Sequence, residues 1–217
     1  AVLAHLHGRS RTALAAFATS LAAKVTSLAL PLILPILDAV SSKRRPARRD
    51  WLPLAPFFVV SAAALGAAVL AGQAYGTIVD LENFNVAKRV SHVLYGLLFY
   101  PAKTLWPENL SPFYPEPSWF GRWSWQLFGC LGVIAAAGIA LWRTRRSHPA
   151  VVAAFVVYVI LALPTSGLMH QGQLHAACDR YSYLPCLGFA VLFGAAFGRS
   201  RAGTILATAW LVALSIA

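Results

Sequence analysis

Long stretches without a single charged residue are the feature that most constrains this chain. They cover Trp51–Val79, Trp123–Trp142, Pro149–Cys178, Tyr181–Gly198 and Ala202–Ala217. Most of them reach the roughly 17 to 25 residues that a helix needs to cross a bilayer core. Only 12% of the residues are charged, whereas about a quarter of an ordinary soluble domain is. The sequence therefore predicts an all-α fold, a polytopic bundle of transmembrane helices.

The basic residues give the predicted bundle an orientation. The net charge is +11, and three basic clusters lie between apolar runs, at 43–49, 143–146 and 199–201. Short loops rich in Lys and Arg face the cytosol in most membrane proteins, so these three loops are predicted to be cytosolic. The clusters form no basic stripe interleaved with aromatic residues, so the sequence predicts no nucleic-acid partner.

The order of the basic clusters then predicts that the central part of the chain lies on the outer, non-cytosolic side of the membrane. A span over 51–72 leads outward and a span over 123–142 leads back, which leaves 73–122 on the outer side. A helix over 88–106 carries Lys88, Arg89, His92 and Lys103. We therefore expect it to be amphipathic and to lie in the outer interface rather than to cross.

The remaining predicted spans cover 12–23, 25–40, 150–168, 181–197 and 203–217, all in a single membrane domain over residues 1–217. The first two are short, because an arm of about 13 residues is only roughly 20 Å long. Two arrangements are open there: a helical hairpin that turns at Lys24, or one longer span with Arg9 outside.

Three segments resemble a known family in their order and spacing. They are Ser20–Asp38, Tyr100–Pro115 and Asp179–Pro185, which read SLAAKVTSLALPLILPILD, YPAKTLWPENLSPFYP and DRYSYLP. They are similar to the membrane region of the transmembrane and tetratricopeptide-repeat proteins, a family that includes animal O-mannosyltransferases. The family often has Pro or Glu after the lysine of the first motif, whereas Val25 follows Lys24 here.

The resemblance implies an activity and a location. It implies the core of a C-type glycosyltransferase that takes a sugar, by analogy mannose, from a dolichyl or other polyprenyl phosphate. The partners would be membrane lipid, this lipid-linked donor and a protein Ser or Thr acceptor. The membrane would be that of the endoplasmic reticulum in a eukaryote and the inner membrane in a bacterium. A non-catalytic scaffold, or a carrier of lipid-linked substrate attached to a repeat domain, is the alternative.

The resemblance also implies that some functional residues of the family lie outside this chain. Its catalytic acid belongs to the first outer loop, so we expect this chain to be an internal fragment that begins after that acid. No cofactor is firmly implied. The ligands of any divalent cation would be upstream too.

Cations on the outer side are the candidate donor-binding residues. Lys24, Lys103 and Arg180 are placed there against the usual charge bias, where they could hold a lipid phosphate, and Asp179 lies beside Arg180. Alternatively the cations reach the interface or pair with acids, Arg180 with Asp179 and Lys103 with Glu108. Asp179 could instead cap a helix that starts at Tyr181.

The outer loops supply the remaining candidates, which are acceptor or loop contacts: Glu108, Asn109, Tyr114 and His170. Asn109 and Ser111 fit a glycosylation sequon, but Pro112 follows directly, so we interpret this motif as a turn. His170, His175 and Cys178 match no known zinc-ligand spacing and have no evident fourth ligand, so no metal site is predicted.

Overall fold

The protein is all-α in its computed structural model, apart from one short pair of strands. The structure describes residues 1–23, 25–42, 51–75, 86–166, 175–198 and 200–216. The chain divides into two compact units, Ala1–Ile78 and Val79–Ala217.

The first unit is built from helices that fold back on one another. α1 (Val2–Leu6) and α2 (Ser10–Ala23) are followed by a 3₁₀ turn at Val25–Ala29. α3 (Leu30–Ser42) and α4 (Ala55–Ala74) complete the unit, and a 3₁₀ turn at Leu52–Leu54 precedes α4. Their core includes Ala13, Phe17, Leu21, Leu34, Leu54 and Phe57. The first three lie four residues apart on α2, which places them on one face of that helix.

A polar contact ties the beginning of this unit to the end of α3. His5 Nε2 lies 2.9 Å from the Asp38 carboxylate. Because His5 is on α1 and Asp38 is near the end of α3, α2 and α3 form a hairpin rather than one straight helix. Lys24, the expected turn residue, lies outside the described residues.

The second unit contains the remaining helices and the strand pair. The helices are α5 (Val86–Leu105), α6 (Trp125–Thr144), α7 (Pro149–Ala162), α8 (Leu187–Phe197) and α9 (Arg201–Ile216). The strands are β1 (Tyr114–Pro115) and β2 (His175–Ala177), which pair antiparallel.

α5 is one continuous amphipathic helix. Its buried positions are Ala87, Ser91, His92, Gly96 and Tyr100. Apart from the adjacent pair Ser91 and His92 they are four residues apart, so one face of the helix packs inward. Tyr100 belongs to a core with Tyr158, Ala162, Ala177, Cys186 and Phe189, and the Tyr158 hydroxyl donates a 2.9 Å hydrogen bond to the Leu97 carbonyl.

Among the residues that the structure describes, two helical segments are long and apolar enough to cross a membrane. They are Leu52–Ala74, with 23 residues, and Trp125–Thr144, with 20 residues. Few of their residues are buried inside the protein, 11% and 6% of the most apolar window, so their apolar side chains face outward.

Two of the other apolar helices are shorter than the spans predicted for them. The span expected over 150–168 corresponds to α7 and a 3₁₀ turn at Leu163–Thr165, and the span expected over 181–197 to the 11 residues of α8. Prolines account for both differences. Pro164 follows the end of α7 and Pro185 precedes α8, and proline lacks the amide hydrogen that an interior helical position donates.

Candidate functional site

The loop after α5 packs against the chain around β2. Tyr114 pairs with Ala177 and Pro115 with His175 in the two-stranded ladder. We call the polar and aromatic residues gathered here the loop cluster: Lys103, Glu108, Asn109, Ser111, Phe113, Tyr114, His175, Asp179, Arg180 and Tyr181. They come from stretches of the sequence about 65 residues apart, as the separation between Tyr114 and Asp179 shows.

Asp179 fastens the two segments of the loop cluster together. Its Oδ2 accepts a 2.7 Å hydrogen bond from the Ser111 amide. The Tyr114 hydroxyl lies 3.0 Å from the same carboxylate oxygen and 3.0 Å from the Asn109 carbonyl. An ionised carboxylate is a strong acceptor for such donors, so Asp179 holds the loop in place.

Asn109 makes the sharp bend that this arrangement requires. Its φ of 49° lies in the left-handed region, which asparagine tolerates better than most residues with a side chain. The bend turns the Asn109 carbonyl toward Tyr114, and Asn109 itself is exposed.

Lys103 sits at the end of α5 against aromatic rings. Its ammonium group lies 5.4 Å from the centroid of Tyr114 and 5.8 Å from that of Phe99. It also donates to the backbone carbonyl of Glu108. Each ring face attracts the cation, so Lys103 is held within the loop cluster.

Arg180 is exposed and rests on two aromatic rings. Its guanidinium carbon is 5.0 Å from the Tyr181 centroid and 5.7 Å from the Phe113 centroid. One guanidinium nitrogen donates a 3.1 Å hydrogen bond to the Tyr181 hydroxyl. No carboxylate pairs with Arg180 in the described part of the chain. Its planar fork therefore keeps donors available to an anion from solvent or membrane.

His175 lies on the same aromatic residue as Arg180. Its ring is 5.2 Å from Phe113 between centroids, in an edge-to-face arrangement. Partial burial and the nearby positive charge of Arg180 lower the pKa of His175 below its ordinary value, although Glu116 acts in the opposite direction. The imidazole is consequently neutral near pH 7.

Glu116 anchors the other end of the loop to α5. Its carboxylate lies 2.7 Å from Lys88 Nζ and 3.0 Å from His92 Nε2, and His92 is buried. Burial alone would raise the pKa of Glu116, but the hydrogen bond from Lys88 and the neighbouring His92 lower it overall. The carboxylate is therefore held in its ionised form.

Most of the predicted site residues meet in the loop cluster. Lys103, Glu108, Asn109, Tyr114, Asp179 and Arg180 all lie there. Lys24 and His170 lie outside the described residues, so their predicted roles stay predictions.

The two carboxylates of the expected ion pairs contact other groups instead. The Asp179 carboxylate contacts Ser111 and Tyr114 rather than Arg180. It also does not cap a helix, because it lies inside a 3₁₀ turn at Asp179–Tyr181 and α8 begins only at Leu187. The Glu108 carboxylate accepts a 3.0 Å hydrogen bond from the Trp106 indole, while Lys103 binds the Glu108 backbone.

Sequence reasoning missed Glu116 and the amide of Ser111. A backbone donor leaves no trace in a residue pattern, so Ser111 could not have been found. Glu116 had a detectable signal, because Lys88 and His92 are four residues apart on a predicted helix and therefore lie on one face. An acidic residue in the following loop was therefore the partner to expect for Lys88 and His92.

Comparison with known family models, with curated proteins and with solved structures finds no match. The family resemblance of the three sequence motifs is accordingly carried forward as a proposal.

Proposed function

We propose that this chain is the membrane-embedded, donor-binding part of a glycosyltransferase that uses a sugar linked to a polyprenyl phosphate. The observation that carries the proposal is the exposed guanidinium of Arg180, which belongs to the same loop cluster as Lys103 and has no carboxylate partner among the described residues. Two cations fixed on aromatic rings are suited to one phosphate group, and Arg can bind it with two parallel hydrogen bonds.

Apolar helices in both units support a membrane location. α6 carries apolar side chains on a largely unburied surface, as does the segment Leu52–Ala74, and shorter apolar helices accompany both. We propose that these helices form a multi-pass bundle, in the endoplasmic reticulum of a eukaryote or the inner membrane of a bacterium. α5 would lie in the outer interface, since one of its faces is apolar and its ends carry cations.

An apolar groove next to Lys103 would receive the lipid tail. It has a volume of about 280 Å³ and is lined by Pro101, Thr104, Leu105, Phe155, Phe189 and Phe193. This is slightly below the roughly 300 Å³ at which pockets for complete small-molecule ligands begin, so part of a prenyl chain would fit. Thr104 follows Lys103 directly in the sequence. We therefore propose that the lipid tail lies in this groove and that its phosphate lies at Lys103.

In the proposed transfer reaction, this chain binds the lipid-linked sugar donor. The oxygen of an acceptor hydroxyl would attack the anomeric carbon of the sugar, the bond to the lipid phosphate would break, and a base would take the hydroxyl proton. Both carboxylates of the loop cluster, Asp179 and Glu108, already accept hydrogen bonds from other groups of the protein. We therefore propose that another part of the protein supplies the base, and that the acceptor is a protein Ser or Thr.

The test is the affinity of the purified chain in detergent for farnesyl phosphate, a prenyl phosphate with a short tail. Arg180→Ala and Lys103→Ala should each weaken binding by about tenfold, as expected for the loss of a charge-assisted hydrogen bond. Arg180→Lys should recover part of it, because Lys lacks the planar fork. Arg145→Ala is the matched control, since Arg145 is also exposed and stacked on an aromatic ring, 3.6 Å from the centroid of Trp142.

Two ligand controls separate the headgroup from the tail. Inorganic phosphate and farnesol should each bind more weakly than farnesyl phosphate, and only the binding of the phosphate compounds should respond to Arg180→Ala. Unchanged affinity for farnesyl phosphate in both cation variants, with thermal stability preserved, would contradict the proposal.

A further inference from the structure

His175 occupies a position in the loop cluster that neither the sequence motifs nor the proposed donor site uses. It lies in β2, where its backbone is fixed opposite Pro115. Its ring packs edge-to-face on Phe113, the residue over which the Arg180 guanidinium also lies. Phe113 thus holds an imidazole and a guanidinium on one exposed aromatic ring.

The charged groups around His175 come from each element packed against it. Arg180 approaches from the 3₁₀ turn and disfavours a second positive charge, while Glu116 approaches from the end of β1 and favours one. The charge of Glu116 is already matched by Lys88 and His92 of α5. The Asp179 carboxylate is engaged by Ser111 and Tyr114. The imidazole is therefore neutral while the site holds no anion.

We propose that His175 is a third ligand of the lipid phosphate and takes up a proton when the phosphate binds. This inference rests on the proposed donor site at Arg180 and Lys103. The phosphate would bring a negative charge to the Phe113 ring that both His175 and Arg180 contact, which offsets the repulsion from Arg180 and favours the imidazolium. The protonated ring then donates a hydrogen bond to a phosphate oxygen, whereas the neutral ring offers either a donor or an acceptor at each nitrogen.

The sign of the pH dependence follows from this coupling. Binding favours the protonated form, so the pKa of His175 is higher in the complex than in the free protein. Affinity should therefore rise as the pH falls through the range in which the imidazole titrates, between about pH 8 and about pH 5. Above that range the imidazole is neutral in both states, and the effect disappears.

The probe must not titrate in the same range. A phosphate monoester loses its second proton near about pH 6, which would mask the effect, so the probe is farnesyl methyl phosphate. This phosphodiester carries one negative charge across the whole range. Its affinity for the full chain should increase by about two- to fivefold between about pH 8 and about pH 5, the gain expected for one added partly screened ion pair.

Three measurements decide the inference. His175→Gln should abolish the gain in affinity at low pH, whereas the matched control His148→Gln, at an exposed histidine outside the loop cluster, should keep it. In the unaltered chain, calorimetry in two buffers with different ionisation enthalpies should show net proton uptake on binding near about pH 6.5. Sulfate, an anion that lacks the tail and does not titrate in this range, should show the same pH trend with weaker binding.

The outcomes separate this inference from the proposed function. Loss of affinity in Arg180→Ala and Lys103→Ala, together with no proton uptake or with an unchanged pH trend in His175→Gln, would overturn the role of His175 alone. Unchanged affinity in both cation variants would overturn the donor site and this inference with it. If His175→Gln does not fold, proton uptake by the unaltered chain still decides the question.

Discussion

At the scale of single residues, carboxylates determine how the loop cluster is held. Asp179 joins the two chain segments, and Glu116 fastens the loop to α5. Each carboxylate is bound by donors from another part of the second unit. Each therefore positions the loop that contains Phe113, one of the aromatic rings on which Arg180 rests. Their removal should therefore affect stability more than the removal of an acid with one local partner.

Asp179→Ala should lower the free energy of unfolding by about 1 to 3 kcal/mol, because the Ser111 amide and the Tyr114 hydroxyl lose a shared acceptor. Glu108→Ala is the control, since the Glu108 carboxylate is exposed and contacts the nearby Trp106 indole. Thermal unfolding in detergent measures both. Equal and small effects of the two substitutions would show that Asp179 does not hold the loop.

Glu116→Gln should destabilise the protein in a pH-dependent way. The folded state lowers the pKa of Glu116 below its ordinary value of 4.5, so its contribution is present above that value and is lost as the pH falls through the folded-state pKa. The stability difference between the unaltered chain and the variant should be largest near neutral pH. It should shrink as the pH falls below 4.5 and disappear once the pH is below the folded-state pKa of Glu116.

Melting temperatures measured across this pH range provide the check. Lys88→Met should reduce the same pH dependence, because Lys88 is a direct partner of the Glu116 carboxylate. A difference between Glu116→Gln and the unaltered chain that is the same at every pH would contradict the assignment.

At the scale of the elements, the sequence predicts the existence of helices better than their lengths. Apolar runs marked the positions of α6, α7 and α8, because side-chain hydrophobicity is a property of the residues themselves. Their ends depend on Pro164 and Pro185, which the apolar runs include, and on contacts between distant segments. The pairing of β1 with β2 is such a contact, and no local pattern indicates it.

Close packing between α7 and α8 gives a test at this scale. A Cβ atom on Gly188 would lie 3.4 Å from Ala154 Cβ, whereas a Cβ on Gly194 of the same helix would meet nothing within 4 Å. Gly188→Leu should force the helices apart and cost about 1 to 3 kcal/mol. Gly194→Leu, which places the same side chain on α8 in open space, should leave thermal stability nearly unchanged. Equal destabilisation by the two substitutions would contradict this packing.

At the scale of the whole molecule, charge-free runs and basic clusters predict several membrane crossings. Two helical segments among the described residues have the length that a crossing requires. Six of the ten residues of the loop cluster were also predicted from the sequence, because unexpected cations such as Arg180 are visible as residues. Their partners were not visible, since Phe113 and Tyr181 act through ring positions that only the fold defines.

The proposed donor site requires that the loop cluster and the basic loop at 143–146 lie on opposite sides of one membrane, with α6 crossing between them. The most direct test is labelling with a membrane-impermeant maleimide in sealed vesicles whose cytosolic face points outward. Single cysteines replace Ser118 and Ser147, two exposed residues on either side of α6, and the parent chain corrects for Cys130, Cys178 and Cys186. Ser147→Cys should react at once, and Ser118→Cys only after detergent opens the vesicles. Immediate labelling of Ser118→Cys would contradict the proposed topology, because the proposed phosphate site would then face the cytosol.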